Sequence, residues 1–351
     1  LISLFFFSAD IESRVERKHR LVIDCAKAAE AAGLHAVWVP ERHFDPFGAP
    51  YPNPLLLLAA IAAQTERIQL RAGSIVLPLH DPLTVAEDIA VVQSLSLGRL
   101  GISLASGWHP EDFVLNPGAY DTRKDDLLQK YDALRRLWSG QALSRQGPRG
   151  QVAVRTYPAL ARPPEFWLTS SANIETWRQA GRLGINVLTG LLEQSVDDLT
   201  AKIAAYTESL RASGHDPVTR QVTCMLHTHV TAREPDVTGR VTAPMTRYLT
   251  AHLKLFEKSL GSDSGIRADS VTAEDRRVIL ANGVQRYLRT SGLFGSPADC
   301  LPLIERLWTA GVTEFGCLVD FGLPDHQVLE CVDELGHLQR ALARTRPVEG
   351  Q

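Results

Sequence analysis

The chain has 351 residues, a formal net charge of -3, 44% hydrophobic residues and 22% charged residues. That is the composition of a globular protein long enough for one large α/β domain with a deep core. It has no strong charge to attract nucleic acid or anionic membrane, and its longest apolar stretch, Leu55 to Ala63, is too short to cross a bilayer.

Strand-like and helix-like segments alternate from the first residue. Residues 2–7 read as a strand and 13–32 as an amphipathic helix, with Val15, Leu21, Ala28 and Ala29 on its inner face and Gly33 past its end. Residues 35–40 are the second strand, and Pro54 opens a helix that runs to about Glu66. Strands at 68–72 and 100–105 are each followed by a helix, at 83–96 and 123–138. The Gly- and Pro-punctuated stretch 140–158 reads as a small hairpin.

Strands then fall at 166–169, 185–188 and 222–230, with helices at 173–183 and 195–213. Residues 231–275 are polar and irregular, with Gly261 to Gly265 as a mobile loop and helices over 241–259 and 272–290. After Gly295-Ser296-Pro297, a helix at 297–310 leads to the eighth strand, 313–319, and a last helix, 325–343. Eight strands alternating with helices predict a (β/α)8 TIM barrel over residues 1–351, with insertions after strand four and around strand seven. An open doubly wound sheet fits less well, because no G-x-G-x-x-G follows the first strand.

The five cysteines are scattered, odd in number and lack a CxxC pair. They read as reduced thiols partly buried in the core, as in a cytoplasmic protein. The chain begins at Leu1, not Met, and its apolar start lacks a basic n-region. We read it as trimmed, or as a piece of a longer polypeptide.

The richest chemistry follows the second strand. Glu41-Arg42-His43-Phe44 come at the end of an apolar run and before Phe47-Gly48 and Asn53-Pro54, where a barrel opens into its catalytic face. No metal site is predicted: there is no H-E-x-x-H, and His227 and His229, two apart on a strand, have no evident carboxylate partner. Ser106-Gly107-Trp108-His109 follows strand four but is not G-x-S-x-G, which argues against a hydrolase nucleophile. Thr169-Ser170-Ser171-Ala172-Asn173 joins a strand to a helix, where small residues and free N–H groups suit a phosphate. The same residues also suit plain helix capping. Arg123, at another helix start, adds a charged fork to the phosphate or forms a solvated face with Lys124 and Asp125.

Together with Gly73 to Pro78, His80, Pro82, Ala86-Glu87-Asp88, Gly98-Arg99 and Gly107 through Asp112-Phe113, these residues resemble the bacterial luciferase-like flavin monooxygenases. The resemblance is collinear along nearly the whole chain and densest over 33–123. Phe5-Phe6-Phe7-Ser8 and Ser103 to Pro110 resemble the subgroup of natural-product clusters, some of them domains of non-ribosomal peptide or polyketide synthases.

The family implies a (β/α)8 barrel that takes reduced FMN (FMNH2) from a separate flavin reductase. Oxygen adds to the flavin as a C4a-hydroperoxide, which oxygenates an organic substrate. Here that is a small or carrier-protein-bound intermediate. By resemblance, Arg123, Ser170, Ser171 and Ala172 hold the phosphate. Ser106 stands where relatives often have a basic contact, and Gly73–Ser74 is a cis peptide under the flavin ring. Luciferases have a catalytic His at the position of Arg42 and a reactive thiol at that of Ala105. Arg42 is therefore a peroxide or carboxylate clamp, or a partner of Glu41, and His43 becomes the proton-handling group. Glu41, Arg42 and His43 are the catalytic candidates, and Phe6, Trp108 and His109 the wall of the outer pocket, unless they pack in the core. A homodimer through the second and third helices is expected. Two rival readings are an F420-dependent hydride-transfer enzyme on the same barrel and a non-catalytic flavin-binding partner subunit.

Overall fold

The computed structural model describes residues 1–8, 15–160, 162–192, 194–232, 237–260 and 272–345. Eight strands form the frame: β1 (Ile2–Phe5), β2 (Ala36–Val39), β3 (Gln69–Val76), β4 (Leu100–Ala105), β5 (Glu165–Thr169), β6 (Asn186–Gly190), β7 (Val222–Val230) and β8 (Glu314–Leu318). Every neighbouring pair is parallel, and β8 pairs with β1 through Ile2 and Phe315, which closes the barrel. The expected fold class is thus the observed one.

Helices α1 (Val15–Ala32), α2 (Pro54–Ala62), α3 (Pro82–Leu95), α4 (Arg123–Trp138), α5 (Ile174–Leu183) and α6 (Val196–Ala212) surround the first six strands. Helices α7 (Val237–Leu260) and α8 (Ala273–Arg286) form the insertion after β7, and α9 (Pro297–Ala310) and α10 (Asp325–Thr345) complete the ring. Local chemistry sets several helix starts. Asn53 accepts from the Leu56 N–H with Pro54 in the first turn, and Asp81 accepts from Leu83 ahead of Pro82. Ser296 and Asp299 form a reciprocal capping box at α9.

The expected hairpin is Leu143–Gly147 paired with Gly150–Val154. A short strand, Leu293–Gly295, pairs with β7 and is not apparent in the sequence. The expected loop at Gly261 to Gly265 lies outside the described residues.

The barrel interior at the amino ends of the strands is polar and aromatic. Glu314 accepts from Ser3 Oγ at 2.5 Å, Trp38 Nε1 at 2.9 Å and Thr223 Oγ1 at 3.0 Å. Burial acts to raise its pKa, but His35, Arg71 and these hydrogen bonds prevail and hold it below the usual value. Arg71 stacks on Trp167 at 4.6 Å and donates to Glu165 at 3.0 Å. The five cysteines are free and buried. Among the described residues, no helix is long and apolar enough to cross a membrane.

Candidate active site

The polar groups at the carboxyl ends of the strands gather from β2, β3, β4 and β5. Glu41 is buried beyond β2 and accepts from the Val76 N–H of β3 at 2.7 Å. His43 Nε2 lies 2.7 Å and His80 Nε2 2.6 Å from the same oxygen, Glu41 Oε1. Burial acts to raise the Glu41 pKa, yet the hydrogen bonds from His43, His80 and Val76 prevail and keep the carboxylate ionised below its usual range. With both Nε2 atoms protonated, each ring keeps Nδ1 as an acceptor. One buried anion thereby fixes two imidazoles in a single tautomer, an arrangement that can take up and return a proton.

His80 was part of the family pattern but not among the predicted catalytic residues. It is 39 positions from Glu41 in sequence, and only the fold joins them. The set also places three ligand atoms within 4.8 Å of one another, donor types that divalent ions accept. Of the other candidate pair, His227 packs edge-on against Tyr248, Tyr287 and Phe321, and burial lowers its pKa to about 3.

Arg42 does not pair with Glu41, which corrects that alternative: the two histidines occupy the carboxylate. The Arg42 guanidinium instead lies 5.5 Å from the ring centres of Phe7 and Trp108. Trp108 is 41% exposed. Phe6 and His109 are not. Both are wholly buried, Phe6 in the main core and His109 with Nδ1 3.1 Å from Asp112. β1 ends at Phe5, and it is Phe7, two residues further on, that faces Phe47 and Arg42.

Asp320, beyond β8, holds this edge in place. It accepts from the N–H groups of Phe7 at 2.7 Å and Ser8 at 2.8 Å and from Tyr51 Oη at 2.8 Å. Burial raises its pKa against those hydrogen bonds.

The site floor is lined with hydroxyls. The Gly73–Ser74 peptide is cis, and the ladder between β3 and β4 shifts register there, so Ser74 stands outside the pairing. Its Oγ hydrogen-bonds Thr169 Oγ1, which lies 2.6 Å from Ser103 Oγ. Gly73 is required by close approach: a Cβ there would meet Trp38 at 2.6 Å.

At α5 the helix cap is Asn173, which accepts from the Glu175 N–H at 2.9 Å. Capping therefore does not account for Ser170 and Ser171. Ser170 Oγ donates to Asn173 O at 3.3 Å, while Ser171 and Ala172 are exposed. Lys202 Nζ, which the sequence reading missed, donates to Ser171 O at 2.9 Å and brings a cation to this turn. Arg123 donates from Nε to Gly107 O at 3.2 Å and from Nη1 to Tyr120 O at 2.6 Å. It thus offers an anion charge and Nη2, not the full fork, and stands on the loop that follows half-buried Ser106.

Polar groups collected at the strand carboxyl ends of a closed parallel barrel define the class of barrel enzymes. The chain matches the family model for luciferase-like monooxygenases over residues 2–314, and it belongs to that family.

The F420-dependent hydroxymycolic acid dehydrogenase of Mycobacterium tuberculosis is 31% identical over 212 residues, 58% of this chain and 57% of that protein. The oxygenase component of the flavin-dependent trigonelline monooxygenase of Acinetobacter baylyi is 26% identical over 220 residues, 61% of this chain and 60% of that protein. The chain therefore matches about three-fifths of the length of these relatives. The crystal structure of monooxygenase RslO1 from Streptomyces bottropensis superposes with a TM-score of 0.78 at 18% identity, covering 97% of this chain and 99% of that one. That likeness is one of fold. One of these relatives is named for F420 and the other for flavin.

Proposed function

We propose that the chain is the oxygenase of a two-component, FMNH2- and O2-dependent monooxygenase acting on a natural-product intermediate, small or carrier-bound. The observation that carries this reading is the buried Glu41 carboxylate shared by His43 and His80 at the barrel mouth. A buried carboxylate carrying two imidazoles, one of them reaching solvent, suits oxygen activation, in which protons are delivered and withdrawn.

Reduced FMN would supply the oxygen-activating chemistry. Its phosphate fits the turn Ser170-Ser171-Ala172 at the α5 N-terminus, with Lys202 beside it and Arg123 as a second cation. Gly73, Ser74 and Ser106 would border the ring system, with the Ser74–Thr169–Ser103 hydroxyls as hydrogen-bonding partners for its polar edge. His43, held by Glu41, would move the proton, and Trp108 and Phe7 would screen the mouth from water.

The partners follow from this reading: a separate flavin reductase and a second copy of the chain. Exposed Leu56 on α2, Val91 and Leu95 on α3, and Leu97 just beyond it support a homodimer through that face. For a carrier, a surface groove of about 700 Å³ lined by Arg17, Arg240 and Arg247 lies beside Gly322, past the carboxyl end of β8; Asp325 lines it too and pairs with Arg17 at 3.1 Å, and the remaining excess of arginine suits an acidic docking partner.

The 31% identity to an F420-dependent dehydrogenase favours hydride transfer as the second reading. Oxygen uptake decides between them. Under the first reading, the chain with reduced FMN and a reductase couples oxygen consumption to substrate oxygenation. Turnover with reduced F420 alone, under anaerobic conditions, would establish the second.

A further inference from the structure

Arg42 sits next to Glu41 in sequence but is left out of its cluster. The side chain is buried, and neither Nε nor Nη2 has a hydrogen-bond partner. Those two N–H groups leave the guanidinium on one edge and nearly parallel, the spacing that both oxygens of a carboxylate engage.

Nearby acids do not fill that edge. Asp112 lies against His109 Nδ1, and Asp45 accepts from the Phe47 N–H at 2.9 Å. Phe7 and Trp108 attract the charge but do not satisfy in-plane donors. The arginine is also held in place. A Cβ on Gly48 would meet Arg42 Cγ at 2.7 Å, so the chain wraps closely around the stem. Phe47 packs on Tyr248 and His252 of α7, which extends an aromatic wall around the same loop. Asp112 and Asp45 offset part of the charge from a distance, but buried donors without partners are costly, and a ligand that supplies matching acceptors recovers that cost.

We propose that Arg42 is the receptor for a substrate carboxylate, so that the molecule oxidised is a carboxylic acid whose apolar body lies among Phe7, Phe47 and Trp108. The word substrate rests on the monooxygenase reading, but the binding claim holds whichever cofactor is used. The fork also matches a phosphate in principle. The phosphate turn, however, follows β5, three strands from β2 in barrel order.

Calorimetric titration of the full chain with hexanoate, benzoate and phenylacetate, each against its primary amide, tests the assignment. At least one acid should bind tenfold or more tighter than its amide. Arg42→Met should abolish that preference while melting at or above the wild-type temperature, and Arg42→Lys should restore only part of it, because an ammonium lacks the fork. No preference for any acid in the wild type, or a preference that survives Arg42→Met, overturns the proposal. Affinity for reduced FMN, measured on the same proteins, separates the two readings. It should stay within twofold in Arg42→Met, and a larger loss would give Arg42 to the cofactor and overturn the carboxylate assignment. Failure of the wild type to bind FMN would sink the cofactor reading and leave the carboxylate result standing.

Discussion

Arg99, at the amino end of β4, and Arg42, beyond the carboxyl end of β2, are both buried. Arg99 donates from Nε to Ser96 O at 2.8 Å, from Nη1 to Thr65 Oγ1 at 3.0 Å and Ile68 O at 2.8 Å, and from Nη2 to Ala62 O at 3.2 Å and Thr65 O at 2.8 Å. Every nitrogen is satisfied by the loop it braces. Arg42 leaves its bidentate edge unmatched. The same side chain is structural at one end of the barrel and held open at the other, which is the division of labour expected between the two faces of this fold.

The largest effect that would break this comparison is on stability. Arg99→Met strips donors from several buried acceptors, each worth about 1–3 kcal/mol. Chemical denaturation should show a loss of about 3 kcal/mol or more, and a change below about 1 kcal/mol would remove Arg99 from the structural role.

Next comes Glu41→Gln, which replaces the shared anion with an amide. Turnover should fall by about 100-fold or more, the usual scale of proton-transfer catalysis. His43→Asn should lower turnover without loss of FMN affinity. Full activity in Glu41→Gln would show the cluster to be scaffolding.

A smaller effect concerns pH. His227 is held neutral, with a pKa of about 3, by burial. The unfolded chain, with a histidine pKa near 6.5, binds the proton first, so stability falls as the pH drops from about 6.5 towards 3. Between pH 8 and pH 5 this one residue should account for about 2 kcal/mol. His227→Phe should flatten the stability–pH curve by that amount, and an unchanged curve would contradict the burial argument. Burial, together with the charge of Arg42, lowers His252 in the same direction, to about 4, so the double variant should flatten it further. The smallest change is expected for Arg42→Met, within about 1 kcal/mol of wild type or more stable, because it removes an ion that the protein itself leaves unpaired.

Much of this was legible from local pattern. The eight strands and most helix ends follow from hydrophobic alternation and from Asn53-Pro54, Asp81-Pro82 and Ser296-Pro297, which act within one turn. The Glu41-Arg42-His43 cluster and the turn at Ser170 stand out as polar groups at strand ends. What the sequence hides is pairing across the barrel. His80 reaches Glu41, Lys202 reaches Ser171, and Asp320 fixes Phe7, Ser8 and Tyr51 only because closure brings distant strand ends together. The direction of side chains past a strand end is hidden as well. Phe6 and His109 read as pocket wall but turn inward, because alternation stops constraining orientation once the ladder ends. Leu293–Gly295 is too short for periodicity to reveal.

The central claim is that a flavin phosphate rests on the Ser170-Ser171-Ala172 turn at the barrel mouth. Anaerobic titration of the wild type and of Ser171→Asp with reduced FMN, side by side with reduced F420, tests it most directly. The account predicts tighter binding of FMN than of F420 and at least tenfold weaker FMN binding when an anion is placed on the turn. Tighter binding of F420, or FMN affinity indifferent to Ser171→Asp, would contradict it.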